Sequence, residues 1–209
     1  MFGDGALTFR EFMTREPLPL ATIQEAVLEF LRGRNDVAVF GAQAVNAYVD
    51  VPRMTQDVDL LSPRAAELAE ELRAHLATRF HIAVRVRRLT GGLAYRLFQI
   101  RKPANRHLVD LRLVSVLPRT RRIAGVRVAA PAELVAMKVI ALHRRRGRPK
   151  SGSDWRDVAL LLLKFPELKA SRGVVRERLE AAGAELAVLD AWERLVQEPL
   201  LPEQDEDEF

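Results

Sequence analysis

The sequence predicts an α+β chain in two lobes. A mixed β-sheet lobe is expected over residues 1–130, a helical lobe over 131–200 and an acidic tail over 201–209. Three observations carry this reading. The stretch 36–61, DVAVFGAQAVNAYVDVPRMTQDVDLL, runs strand, glycine turn, short helix, strand. Short strand-like segments then follow one another from His81 to Ala129, separated by turn residues. After Pro131 the pattern changes to helices.

Taken in order, residues 1–20 give only a loop and a short helix broken by Pro17 and Pro19. Thr22 and Glu25 have the spacing of a capping box for a helix from Ile23 to Arg32. Val37 to Phe40 is an apolar run that reads as a buried strand, broken by Gly41. Ala42 to Tyr48 reads as helix and stops at Pro52, which has no N–H and disfavours helical geometry in the residue before it. Gln56 to Leu61 is the second strand. Alternation puts Asp57, Asp59 and Leu61 on one face and Val58 and Leu60 on the other.

Ser62 is expected to cap a helix from Pro63 to Phe80, with proline at the favoured first position. Ile82, Val84 and Val86 alternate in a half-buried strand from His81 to Leu89. Thr90 to Gly92 turns into a returning strand, Ala94 to Arg101. His107 to Val116 is the next strand, with Val109, Leu111 and Leu113 as its buried face. Gly125 to Ala129 adds an edge strand or hairpin arm. Pro131 starts a helix to Arg146 with the stripe Leu134, Val135, Val139, Ile140 and Leu142. Asp154 and Asp157 open a further helix, where their charges suit the N-terminal dipole. Two more helices are expected, Gly173 to Ala182 and Leu186 to Gln197. Glu203 to Glu208 has the composition of a disordered segment.

Composition narrows the function classes. The 209 residues are 48% hydrophobic and 29% charged, enough for a sizeable core. There is no cysteine, which removes disulfides and thiolate metal sites and makes a reducing, cytoplasmic setting the expectation. The start MFGDGALTFREFM lacks the cationic and apolar regions of a signal peptide, and no apolar run is long enough to span a bilayer. A net charge of +5 and a pI near 10 favour anionic partners.

The chemistry is concentrated in the Asp57–Asp59 pair. Alternate residues of a strand stand roughly 6–7 Å apart, and two ionised carboxylates held so close repel unless a cation compensates. A hard cation such as Mg²⁺ prefers carboxylate oxygens and keeps water or phosphate as its remaining ligands. Sixteen residues earlier, Gly41 opens a helix whose first N–H groups suit a phosphate. Together they point to metal-assisted chemistry on a nucleoside triphosphate. Asp110 lies on the opposite side of its strand from Val109 and Leu111, either as a functional acid or as a surface partner of Arg112. Lys138 sits one turn from Leu134 and Leu142, snorkelling to the surface or neutralising phosphate. Five of the seven residues from Arg144 to Lys150 are cationic, a solvated run or a grip on phosphates. The four histidines lack metal-ligand spacing and read as structural or surface residues.

Gly41-Ala42, a helix, and then Arg53-Met54-Thr55-Gln56-Asp57-Val58-Asp59-Leu60 resemble the signature of the DNA polymerase β-like nucleotidyltransferases. The R-x-T-x-D-V-D-L form is most similar to the AbiEii-type toxins. The resemblance covers about 120 residues, from Val37 to Asp157. It implies a nucleotidyltransferase-like sheet lobe followed by a helical lobe, with the active site between them. The implied activity moves a nucleoside monophosphate from an NTP to a hydroxyl or phosphate acceptor. Asp57, Asp59 and Asp110 would bind two Mg²⁺ ions, with Asp110 as general base or metal-bound activator of the acceptor. Gly41, Ala42, Arg53, Thr55 and Lys138 would bind nucleotide. Ala42 stands where the superfamily has serine or a second glycine, which keeps the backbone contacts and loses a hydroxyl. Lys150 and Asp157 match the ends of the relatives' K-D-x-x-D segment, with Ser151 in place of its first aspartate. RNA or tRNA as acceptor and an antitoxin as partner follow from the toxin resemblance. The alternatives are a small-molecule transferase of the aminoglycoside type and an idle module that binds nucleotide or RNA.

Overall fold

Leu20–Leu31 forms the first helix, α1, and Ala38–Phe40 the first strand, β1, in a computed structural model that describes residues 18–201. The short helix α2, Gly41–Asn46, and strand β2, Val58–Ser62, complete the opening unit. Next come α3, Ala65–Phe80; β3, Val84–Leu89; β4, Ala94–Gln99; and β5, Arg106–Leu113. The hairpin β6, Thr120–Ile123, and β7, Val126–Ala129, ends this part. Four helices follow: α4, Pro131–Arg144; α5, Lys150–Lys164; α6, Val174–Ala181; and α7, Leu186–Gln197. The chain divides into two units, Met1–Ala130 and Pro131–Phe209.

Among the described residues seven strands join one mixed sheet in the order β3-β4-β5-β2-β1-β7-β6. β2 runs antiparallel to β1 and parallel to β5, while β1 runs parallel to β7. The register sets the two faces. Val58 pairs with Val109, Leu60 with Leu111, and Val109 with Leu97, and all five are fully buried. Leu68, Leu72 and Leu76 of α3 are fully buried as well, and α3 packs on β3, β4 and β5. Asp59 pairs with Asp110, and Asp110 with Arg96, so the charged residues share the opposite face.

Several sequence expectations change. The capping box does not form: α1 begins at Leu20, and the extended backbone of Pro19 occupies the cap position. Thr22 then lies inside the first turn, where its hydroxyl cannot cap. Ser62 ends β2 rather than capping α3. Its Oγ accepts from the Arg64 N–H at 3.0 Å and donates to the Asp36 carbonyl at 2.7 Å, which ties the end of β2 to the segment that leads into β1. Helix α3 starts two residues after Pro63. Of the two alternatives for Gly125 to Ala129, β7 is the hairpin arm and not an edge strand: it lies between β1 and β6, and the unforeseen β6 is the edge on that side. Leu113 is 41% exposed instead of buried. The acidic tail and most of residues 1–20 lie outside the described residues.

The second unit is helical, with Leu134, Val135, Leu161, Leu179 and Trp192 in its core. Among the described residues no helix is long and apolar enough to cross a membrane.

Candidate active site

Strand pairing brings the predicted acids together. β2 and β5 are parallel neighbours with Asp59 opposite Asp110, and Asp57 lies just before β2. The approach to Asp57 is pinned from both sides. Thr55 Oγ1 donates to the Asp57 carbonyl at 3.0 Å, and Gln24 of α1 donates to the Thr55 carbonyl at 3.0 Å. Asn46 of α2 clamps Arg53, donating to its carbonyl at 2.7 Å and accepting from its N–H at 3.1 Å. Arg53 and Thr55 therefore hold the loop that presents the acid pair.

Gly41 meets Asp59 directly. Its φ is +70°, and a Cβ at this position would lie 2.0 Å from Asp59 Oδ2. Only glycine combines that backbone with that approach. The Asp59 carboxylate thus lies against the start of α2, where Ala42 follows.

Two residues that the sequence reading did not place here complete the cluster. His107 Nδ1 is 3.2 Å from Asp57 Oδ2, and its Nε2 is 3.0 Å from Asp110 Oδ1. His107, expected to be structural or on the surface, is half-buried between Asp57 and Asp110. Strict alternation would place residues 107 and 110 on opposite faces. A β-bulge changes this: Leu97 pairs with Val109 but Phe98 with His107, leaving one extra residue in β5. The adjacent apolar pair Leu108-Val109, both buried, was the available signal that alternation breaks there.

Arg96 is the second addition. Its Nε and Nη2 donate to Asp110 Oδ1 and Oδ2 at 2.6 and 2.8 Å, a bidentate fork. The partner of Asp110 is Arg96 across the strand, not Arg112, whose guanidinium stacks 4.8 Å from the Phe40 ring centroid. Burial alone would push the Asp110 carboxyl up; hydrogen bonds from His107 and Arg96 outweigh it and bring it down to about 2. Arg96 is raised in turn, first by its hydrogen bond to Asp110 and further by the charges of Asp110, Asp57 and Asp59. All three acids therefore act on one guanidinium.

The donor set fits a divalent cation. Asp57, His107 and Asp110 each offer one ligand atom, and these lie within 4.8 Å of one another. Two ligands at Mg²⁺ distance stand at most about 4.2 Å apart, so the set needs to close by less than about 1 Å. Asp59 lies outside this group and faces Gly41.

Lys138 belongs to the second unit. It is 9% exposed, and its Nζ lies 2.6 Å from Asp157 Oδ2 and 3.2 Å from Asp154 Oδ1. Arg145 reaches Asp154 Oδ2 at 2.6 Å. Both aspartates are 1% exposed. This corrects the reading of Asp154 and Asp157 as first-turn acids facing the helix dipole: α5 begins at Lys150, which carries them inward onto α4.

A mixed sheet with paired acids on parallel neighbours, reached through a glycine turn, defines a nucleotidyltransferase fold. The chain belongs to the family described as nucleotidyl transferase AbiEii toxin, type IV TA system, whose model matches residues 25–209. Among solved structures it is similar to the Megavirus polyadenylate synthase, with a TM-score of 0.61 and 15% identity over 75% of this chain. It spans only 34% of that protein's length. It is also similar to JHP933 from Helicobacter pylori, with a TM-score of 0.58 and 13% identity, covering 94% of this chain and 84% of the other. No curated protein sequence matches it.

Proposed function

We propose that this chain transfers a nucleoside monophosphate from an NTP to an acceptor hydroxyl or phosphate, as the toxin of a toxin–antitoxin pair. The acceptor oxygen forms a bond to the α-phosphorus, the bond from that phosphorus to the bridging oxygen breaks, pyrophosphate leaves with that bond's electron pair, and the proton of a hydroxyl acceptor passes to solvent water. The observation that carries this reading is that Asp59 pairs with Asp110 across the parallel β2–β5 pair beside Gly41, while Asp57 offers an oxygen within 4.8 Å of one from Asp110. Mg²⁺, two ions by the family scheme, would be held by Asp57 and Asp110 with His107, and by Asp59 on the family pattern, and would supply charge neutralisation of the phosphates.

The protein's own groups divide the remaining work. Asp110, held near pKa 2, is a weak base at neutral pH and suits the role of anionic ligand better than that of proton acceptor. Gly41 and Ala42 offer backbone N–H groups to phosphate at the start of α2, and Arg53 and Thr55 fix the loop beside them. Lys138 is assigned to the nucleotide by family pattern alone; within the second unit it is held by Asp154 and Asp157. An RNA such as tRNA is the acceptor, and an antitoxin protein the partner, that the toxin family supports; a cytoplasmic site accords with both.

The test is incubation with each α-labelled NTP and total cellular RNA, with divalent cation and with chelator. Cation-dependent label in RNA is expected. Label on a small-molecule acceptor alone would move the assignment to the aminoglycoside-type alternative. No label from any NTP would leave an idle nucleotide- or RNA-binding module and contradict the proposal.

A further inference from the structure

The charged face of the sheet extends beyond the acids to its open edge. Along one row of the register, Arg87 pairs with Arg96, Arg96 with Asp110, and Asp110 with Asp59. The next row reads Arg85, Phe98, His107. Paired residues point to the same side of a sheet, so Arg85 and Arg87 share the face of the acids. Both are exposed. Strand spacing puts Arg87 about 10 Å from Asp110 and about 14 Å from Asp59.

Charge on an edge strand has a mundane use, which is to block pairing with another chain. That use needs charge of either sign, on either face. In β3 every charged residue is arginine, and two of them stand on the face that carries the acids. Their spacing along the strand, about 7 Å, is comparable with that of successive phosphates in an extended single strand. Phe98, between Arg85 and His107 in its row, is half-buried and lies 5.6 Å from the His107 ring by centroids, so an aromatic surface adjoins the cations. Cations tracking a backbone beside an aromatic ring are what single-strand binding uses.

We propose that Arg85 and Arg87 bind the phosphate backbone of a single-stranded polynucleotide acceptor, with its reacting end at the Asp57–Asp59–Asp110 cluster. This rests on the transferase reading above and specifies its acceptor class. The surface lies on the sheet unit, apart in sequence from the cationic run Arg144 to Lys150.

The test uses the full chain in chelator without nucleotide, and a fluorescent single-stranded oligonucleotide of RNA or of the same sequence in DNA. The Arg85→Gln/Arg87→Gln pair should weaken binding at least tenfold and reduce the salt slope by about 1.4, at 0.7 per lost phosphate contact. Its melting temperature should match wild type, since both side chains are exposed. RNA binding tighter than DNA would name RNA as the acceptor, and equal binding would leave the backbone as what is read; both support the surface. The Arg144→Gln/Arg146→Gln pair should leave most of the affinity in place. The inference is overturned if wild type binds no oligonucleotide, or if Arg144 and Arg146 carry the affinity instead. It is equally overturned if the Arg85/Arg87 variant binds normally but self-associates, the edge-protection result. None of those outcomes removes transfer to a small acceptor, so the transferase reading stands or falls separately.

Discussion

Gly41 and Asp59 are packed so closely that a single methyl group at residue 41 would overlap the carboxylate, 2.0 Å from Oδ2. Eighteen residues apart in sequence, they are neighbours because β1 and β2 pair Phe40 with Asp59. The glycine therefore places an acid as well as turning the chain.

Gly41→Ala should accordingly cost stability and function together. The positive φ is strained for alanine by about 1–3 kcal/mol, and the new Cβ must push Asp59 out of line. Urea unfolding should show the loss, and nucleotide labelling should fall at least tenfold. Wild-type values in both measurements would show that Asp59 needs no such contact.

Asp110 makes stability depend on acid. Its carboxyl is held down at about 2 against an ordinary value of 3.8, so the folded state favours the ionised form. That contribution, about 2 kcal/mol, is present above about pH 4 and is lost as pH falls through the folded value near 2. Arg96→Gln removes the two-bonded guanidinium fork that, with His107, opposes burial. In the metal-free protein the carboxyl ¹³C titration of Asp110 should then move upward, and an unmoved midpoint would remove Arg96 from the account.

Lys138 illustrates how tertiary context changes a residue's meaning. As a lysine near phosphate, its removal would weaken nucleotide binding and leave folding intact. Held between two buried carboxylates, it should be structural too. Lys138→Met should destabilise the chain by about 3–5 kcal/mol, partly restored when Asp157→Asn is added. Unfolding at wild-type denaturant concentration would contradict the buried cluster.

His107 adds nitrogen to an oxygen site. Imidazole favours later transition metals over Mg²⁺, so His107→Ala should lower Mn²⁺ affinity about tenfold or more and change Mg²⁺ affinity far less. Mn²⁺ electron paramagnetic resonance with Mg²⁺ competition measures both. Equal losses for the two ions would reduce His107 to a brace between Asp57 and Asp110.

What the sequence disclosed and what it hid follow from the range of each interaction. The two-lobe α+β architecture was legible because strand alternation and helical periodicity are local, and Pro131 marks the change between them. Asp59 and Asp110 stood out because each interrupts an apolar strand, Asp57 because it lies two residues before Asp59, and the family resemblance gave all three their roles. His107 was hidden by a bulge that shifts the alternation by one residue, and Arg96 by a cross-strand pairing that no spacing along the chain encodes. The buried Asp154–Lys138–Asp157 cluster depends on where α5 begins, four residues before the first of its acids. Thr22 and Ser62 have the chemistry of caps, but Pro19 and the Ser62–Asp36 hydrogen bond claim those positions.

If the acid cluster performs nucleotidyl transfer, Asp57→Asn should all but abolish it. The substitution keeps the side chain's shape and removes its charge from the site shared with His107 and Asp110. Transfer of label from α-labelled NTP, measured beside wild type with divalent cation, should fall by orders of magnitude, while the thermal midpoint stays within a few degrees. Full transfer by Asp57→Asn would contradict the assignment.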